Sequence, residues 1–326
     1  MAPVLSVLAG LAALIVGAEL VVRYGSRLAR RLGVPPMIVG LTVVSIGTSI
    51  PELAVGVDAM RANAGSLAIG NIAGTNVVNL LLILGLSAAV RPIAIERRTR
   101  LLDLPGMAVA AVLLFVFTLG GRLDRWMGFP LIGFAVAYTV LLVLWTRGEN
   151  ARDQHLAAEY EHEFPAEPSQ HGGRLLAWFG VLLIAGIAVI VVGADWLVHG
   201  SVELARIVGV SDAFIGLTIV AIGTSAPELV TTVISTIRGD RDIAIGNLIG
   251  SSVYNLTLIL GVPVLVADGS GPIDAQLLHI DLPVMVAVSL LCVPLFLTGK
   301  RLSRTEGVLF VAGYVVYLTY LLLTRT

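Results

Sequence analysis

Val39-Gly-Leu-Thr-Val-Val-Ser-Ile-Gly-Thr-Ser-Ile-Pro-Glu-Leu53 returns 176 residues later as Ile215-Gly-Leu-Thr-Ile-Val-Ala-Ile-Gly-Thr-Ser-Ala-Pro-Glu-Leu229. Eleven of these 15 positions are identical, the exceptions being 39, 43, 45 and 50 and their mates. The same offset lays Ile69-Gly-Asn-Ile-Ala-Gly-Thr-Asn-Val-Val-Asn-Leu80 on Ile245-Gly-Asn-Leu-Ile-Gly-Ser-Ser-Val-Tyr-Asn-Leu256, and Gly17-Ala-Glu19 on Gly193-Ala-Asp195. A gapless match of this length marks an internal repeat. The chain is read as two copies of one unit, and each copy carries an acid, Glu52 or Glu228, well inside an apolar run.

The surroundings of those acids are membrane-like. Of 326 residues, 57% are hydrophobic and 13% charged, against charge on about 25% of positions in soluble domains. Runs such as Pro3 to Val22, Leu104 to Gly120, Leu175 to Val198 and Val284 to Leu297 approach the ~20 residues with which a helix crosses ~30 Å of hydrocarbon. Hydropathy with Gly, Pro and charge punctuation predicts ten spans: 3–22, 34–60, 66–90, 103–120, 126–146, 174–198, 210–237, 241–267, 280–299 and 305–323. No basic stretch precedes the first run and no cleavage-type site follows it, so no cleaved leader is expected. The single cysteine, Cys292, lies in an apolar run, which rules out a disulfide within the chain and a thiolate metal site.

The formal charge of −1 hides an uneven distribution of the 21 Lys and Arg residues. With the N-terminus outside, the inner connections hold 16: Arg23, Arg27, Arg30, Arg31, Arg91, Arg97, Arg98, Arg100, Arg147, Arg152, Arg174, Arg238, Arg241, Lys300, Arg301 and Arg304. The outer ones hold five: Arg61, Arg122, Arg125, Arg206 and Arg325. Because short cytoplasmic loops collect positive charge, both termini are expected outside. Five spans per copy is an odd number, so the second copy enters the membrane from the opposite face, as in transporters that hold substrate at the midplane. The expected fold is all-α integral membrane, with ten transmembrane helices in two inverted five-helix repeats and core helices broken at Gly and Pro. Residues 1–146 form the first repeat, with its motif at 39–90, and 174–326 the second, with its motif at 215–266. Between them, 147–173 reads as a polar cytoplasmic linker. Its histidines, His155, His162 and His171, share no metal-ligand spacing.

An ionised Glu at the centre of a span costs roughly 2.5–3.5 kcal/mol even on lenient scales, so something must compensate Glu52 and Glu228. Pro51 and Pro227 remove a backbone donor and free carbonyls around Ser45 to Gly47 and Ala221 to Gly223. Freed carbonyls at that depth are tolerated only inside protein or against a polar cavity. The hydroxyls of Thr48 and Ser49 share a helical face with Glu52, as Thr224 and Ser225 do with Glu228. The following spans add Asn71, Thr75 and Asn79, then Asn247, Ser251 and Asn255, at i, i+4, i+8. All are oxygen donors of the kind hard cations take, Ca²⁺ using 6–8 of them at about 2.3–2.6 Å. Soft metals would call for His or Cys, and these stripes have neither. Two carboxylates balance one Ca²⁺ or two Na⁺, so competition for one site would couple the two ions. Glu19 and Asp195 sit near span ends. Glu19 could pair with Arg23 at i+4, and either acid could serve as an interfacial charge or a gate.

On these motifs the chain resembles the cation/Ca²⁺ antiporter superfamily, in particular its Na⁺/Ca²⁺ exchanger branch of prokaryotic type. The signatures are Gly47-Thr-Ser-Ile-Pro-Glu52 with Gly74-Thr-Asn-Val-Val-Asn79, and Gly223-Thr-Ser-Ala-Pro-Glu228 with Gly250-Ser-Ser-Val-Tyr-Asn255. The resemblance implies four core helices (spans 2, 3, 7 and 8) around the ions and two long helices (spans 1 and 6) that slide across them. It implies Thr48, Ser49, Glu52, Thr75 and Asn79, with Thr224, Ser225, Glu228, Ser251 and Asn255, as ligands, joined by carbonyls near Ser45 and Ala221. It also implies Na⁺ and Ca²⁺ as transported substrates and no resident cofactor. K⁺-dependent relatives carry aspartate where Asn255 stands, and H⁺-coupled relatives resemble Gly-Asn-Ala-X-Glu.

The sequence thus leads to an antiporter exchanging Na⁺ for Ca²⁺ in a prokaryotic plasma (inner) membrane, with Ca²⁺/H⁺ or another divalent exchange as the alternative and a cation channel as the rival of a different class. No enzymatic pattern is found. The expected partners are the ions and the lipid bilayer, without nucleic acid, and a monomer is expected to suffice for transport.

Overall fold

In lipid every backbone polar group must be satisfied within its own segment, and these Ala-, Leu-, Ile- and Val-rich runs do so as helices. The structure is a computed structural model describing residues 2–32, 36–62, 64–161, 173–207, 221–238, 241–267, 273–299 and 301–325. Its helices are α1 (Ala2–Leu32), α2 (Gly40–Thr48), α3 (Ile50–Arg61), α4 (Gly65–Val90), α5 (Thr99–Thr118), α6 (Gly128–Glu161), α7 (Gly173–Ile207), α8 (Ala221–Thr224), α9 (Ala226–Arg238), α10 (Ile243–Val266), α11 (Leu277–Leu297) and α12 (Arg304–Arg325). Among the described residues eight helices are long and apolar enough to cross a membrane, and α2 with α3, bent by 50°, offers a ninth span. The first part of the predicted span 210–237 lies outside the described residues.

Two helices differ in kind from the rest. In α4 and α10, 72% and 78% of the apolar window is buried, against 17–44% in the other six spans. They are the inner pair, and the outer helices turn Leu5, Leu8, Ile15, Val136, Leu144, Ile184 and Val316 outward, as a lipid-facing shell requires. The packing crosses between the two halves of the sequence: α6 lies on the distal part of α10, and α12 on the distal part of α4. A two-residue antiparallel bridge, β1 (Ile93–Ala94) with β2 (Arg301–Leu302), ties the loop after α4 to the loop after α11.

Helices α1 and α7 run antiparallel along a glycine seam. A Cβ on Gly10 would come within 2.7 Å of the Gly193 carbonyl, one on Gly17 within 2.8 Å of the Gly186 carbonyl, and one on Gly200 within 2.7 Å of the Pro3 carbonyl. Gly10 and Gly17 on α1, and Gly186, Gly193 and Gly200 on α7, stand seven residues apart, so the backbones approach more closely than any side chain would allow.

Several expected boundaries shift. Helix α1 runs ten residues beyond the apolar segment predicted to end at 22, carrying Arg23 and Arg27, and α7 continues to Ile207. Hydropathy marks where lipid ends, whereas a helix continues as long as its residues favour it. For the same reason α6 extends through the polar residues 147–161, so the first part of the expected linker is helical. Arg98, counted as a loop charge, is buried beside Asp103, with Nε 3.7 Å from Oδ2.

We expect Gly193→Val, whose Cβ meets Ala13 Cβ at 2.9 Å, to destabilise the protein by about 1–3 kcal/mol. Thermal unfolding in detergent should show a lower Tm for it and no loss for Gly180→Ala, where nothing lies within 4 Å.

Candidate functional site

The two acids sit at corresponding breaks. Helix α2 ends at Thr48, Ser49 takes φ −87°, ψ 11°, and α3 restarts with Pro51 in its opening turn and Glu52 beside it. In the second half α8 ends at Thr224, and α9 restarts with Pro227 and Glu228 in its first turn. Each carboxyl therefore stands at the positive end of a helix, where first-turn N–H groups lack helical acceptors. Of the carbonyls around Ser45 to Gly47 expected to be freed from helical bonding, that of Ser45 is not: it accepts the Ser49 N–H at 3.2 Å and the Thr48 hydroxyl at 3.3 Å. The residue four before Pro51 is Gly47, which loses its helical donor.

Glu52 and Glu228 are both fully buried and close enough to interact by charge. The hydroxyl of Ser49, from the first half, donates to Glu228 Oε1 at 3.2 Å, and that of Ser251, from the second, lies 3.5 Å from the same oxygen and from the Ser45 carbonyl. Thr48 also stands beside Glu228, and Thr75 beside Glu52. Among the described residues, Glu228 Oε2 and both Glu52 oxygens are buried without a hydrogen-bond partner, as are the Ser225 hydroxyl and both amide atoms of Asn79 and Asn255.

The two asparagines belong to π-helical turns inside otherwise α-helical spans, Val78–Ile83 in α4 and Asn255–Ile259 in α10. Such turns re-aim side chains and recur at functional sites. Helix α3 packs on the π-turn of α10, and α9 on that of α4, so each acid-bearing helix meets the asparagine turn of the other half. Thr75 and Ser251 are buried within the same spans, and Thr224 is half-buried. Ala221 opens α8, its side chain outside the described set. Asn71 is only half-buried, its Nδ2 without a partner among the described residues.

Three sets of contacts are not legible in the sequence, although Asn247 itself stands in the donor stripe read there. Ser45 contributes its hydroxyl, 2.6 Å from the Gly40 carbonyl and 3.0 Å from that of Asn247, and so ties α2 to α10. Its mate is Ala221, which cannot. Asn247 bridges as well, with Oδ1 3.3 Å from the Thr48 hydroxyl and Nδ2 3.3 Å from Thr232 Oγ1. Away from this cluster, Asp103 and Asp281 are buried and accept hydrogen bonds from Tyr138 at 3.1 Å and Tyr317 at 2.8 Å. The repeated Asp103-Leu-Pro105 and Asp281-Leu-Pro283 was the available signal. Glu19, which could have paired with Arg23 at i+4, forms an ion pair with Arg238 at the end of α9, while Asp195 lies 3.3 Å from His199 on its own helix.

What the cluster offers chemically is two carboxylates and a set of neutral oxygens inside an apolar shell. Unpartnered carboxylate oxygens at zero exposure are costly unless a cation or proton meets them. Among the described residues no group of three or more His, Cys, Asp or Glu occurs, so the donor set is oxygen-rich with only two formal charges.

Comparison with known proteins agrees with this architecture. Putative antiporter CaxA of Alkalimonas amylolytica is 37% identical over 315 residues, covering 95% of this chain and 96% of the relative. Sodium/calcium exchanger MaX1 of Methanosarcina acetivorans is 34% identical over 351 residues, covering 97% of each. A solved structure of the sodium-calcium exchanger NCX_Mj superposes with TM-score 0.81 at 28% identity, over 98% of this chain and 99% of the other. Residues 2–144 and 178–323, which hold both acids, both π-turn asparagines and nearly every described helix, match the family described as "Sodium/calcium exchanger protein", and the chain belongs to that family.

Proposed function

We propose that the chain is a secondary-active antiporter that exchanges Na⁺ for Ca²⁺ by alternating access to one site between Glu52 and Glu228. The observation that carries this reading is the meeting of two buried, partly unpartnered carboxylates with hydroxyls from both halves, Ser49 and Ser251 converging on Glu228. The family membership and the relatives named as exchangers support it.

In this reading Ca²⁺ is held by Glu52 and Glu228 with Thr48, Ser49, Thr75 and Asn79 from the first half and Thr224, Ser225, Ser251 and Asn255 from the second. Carbonyls near Ser45 and Ala221 complete the shell. Two carboxylates cancel one Ca²⁺ or two Na⁺, so either load removes the bare charge and lets the closed protein turn to the other face. The unloaded pair repels itself, which disfavours turnover of the empty carrier. Ions are substrates here, and no resident cofactor takes part.

The same reading places ten membrane helices in two inverted five-helix repeats, 1–146 and 174–326, joined by a cytoplasmic polar linker at 147–173. The element boundaries support it: Ser45–Thr48 and Leu84–Val90 recur as Ala221–Thr224 and Leu260–Val266, each at an offset of 176, and α1 packs antiparallel to its mate α7. Both termini lie outside a prokaryotic inner membrane.

Purified protein in sealed vesicles should take up ⁴⁵Ca²⁺ when an outward Na⁺ gradient is imposed and not when a K⁺ or pH gradient replaces it. Uptake driven by the pH gradient alone would make the protein a Ca²⁺/H⁺ exchanger, and uptake independent of any counter-ion gradient would make it a channel. Glu52→Gln and Glu228→Gln should each lower exchange by about 100-fold or more, the loss expected when one member of a buried charged pairing is removed, with the Tm retained. Wild-type rates in either variant would remove that residue from the site.

A further inference from the structure

Below Glu228, helix α9 buries a row of hydroxyls. Thr231, Thr232, Ser235 and Thr236 follow the acid at i+3, i+4, i+7 and i+8, one continuous face of the helix, and none is more than 3% exposed. The repeat shows that packing does not require them. The corresponding face of α3, 176 residues earlier, carries Val55, Gly56, Ala59 and Met60 after Glu52. There the contacts are apolar, with Gly56 fitted against Pro263 and Met60 1% exposed.

The hydroxyls are not used up by structure. Ser235 and Thr236 donate to the carbonyls of Thr231 and Thr232 at 2.7 and 2.8 Å, which leaves their oxygens as acceptors. Thr231 Oγ1 is fully buried with no partner among the described residues. Thr232 Oγ1 accepts from Asn247, whose Oδ1 meets Thr48 beside the acids, so polar atoms run without a gap in sequence spacing from the candidate site down α9. The row ends at Arg238, the last residue of α9, where the guanidinium is paired with Glu19 of α1. Among the described residues that pair lacks a mate: Asp195 faces His199, and the position equivalent to Arg238 is Ala62.

We propose that this hydroxyl row is the path along which cations pass between Glu228 and the membrane face at which α9 ends, and that the Glu19–Arg238 pair closes its mouth in this conformation. Hydroxyl oxygens spaced along a helix stand in for the water that a hard cation sheds on entering a low-dielectric interior. Opening requires α1 to move relative to α9, which breaks the pair and brings water onto the row. The proposal rests on the exchange reading given above.

The test uses the full chain with Cys292→Ala, so that an introduced thiol is the only one. Ser235→Cys, or Thr236→Cys should the first fold poorly, is exposed to a membrane-impermeant cationic thiol reagent on one side or the other of sealed, oriented vesicles. Modification is expected from the face of Arg238 only, slowed by saturating Ca²⁺ and accelerated about 10-fold by Glu19→Gln, the ratio for loss of roughly 1.4 kcal/mol of closure. Modification from neither face, or a rate indifferent to Glu19→Gln, overturns the proposal. The isosteric Thr231→Val should slow exchange about 10-fold with equilibrium Ca²⁺ binding unchanged. A purely structural role would instead lower Tm and binding together and would overturn the proposal, as would an unchanged rate. Labelling is read whatever cation is transported, so a failed Na⁺/Ca²⁺ assignment and a failed path give different results.

Discussion

Two carboxyl groups at zero solvent exposure, within range of each other and enclosed by apolar helices, set the terms for everything around them. Neither can hold its charge there unaided. The chain answers with helix breaks that bring backbone dipoles to each acid, with hydroxyls at adjacent positions, and with asparagine-bearing π-turns in the innermost helices. The apolar shell of outer helices then raises the strength of every polar contact inside it. If the acids were apolar, the breaks at Ser49 and Ser225 would have no evident purpose, since straight helices satisfy lipid better.

The second organising feature is inequality within the duplication. Ser45 ties α2 to α10 through its hydroxyl, and Ala221 cannot return the favour. Glu228 collects Ser49 and Ser251, whereas among the described residues neither Glu52 oxygen finds a hydrogen-bond partner, with Thr75 standing beside it. The face below Glu228 is hydroxylic and that below Glu52 apolar. A carrier that must present one site alternately to two faces needs two arrangements of similar energy. In the exchange reading proposed above, the repeated motifs supply that similarity and the positions at which they differ bias one arrangement over the other.

Much of this was legible in the sequence because it depends on local or periodic signals. The repeat, the proline breaks, the acids and the hydroxyls beside them are read within a few residues of one another. What lay beyond reading were partner choices made across the fold. Glu19 had Arg23 four residues away, yet its partner is Arg238, 219 positions along the chain (238 − 19). Arg98 looked like a loop charge because Asp103 opens the next span, and only burial shows that the two neutralise each other. The hydroxyl of Ser45 passed unnoticed because its acceptors, at Gly246 and Asn247, belong to the other repeat. Helix ends were misjudged where polar residues continue a helix past the lipid, as in α1 and α6.

The claim on which the account turns is that the two halves form one shared site. Equilibrium Ca²⁺ binding to the purified protein, counted per chain for the wild type and for Glu52→Gln and Glu228→Gln separately, addresses it directly. A single shared site binds one Ca²⁺ per chain at saturation and none in either single variant over the same concentration range. Two Ca²⁺ per wild-type chain, with one surviving in each variant, would contradict it and assign each half a site of its own.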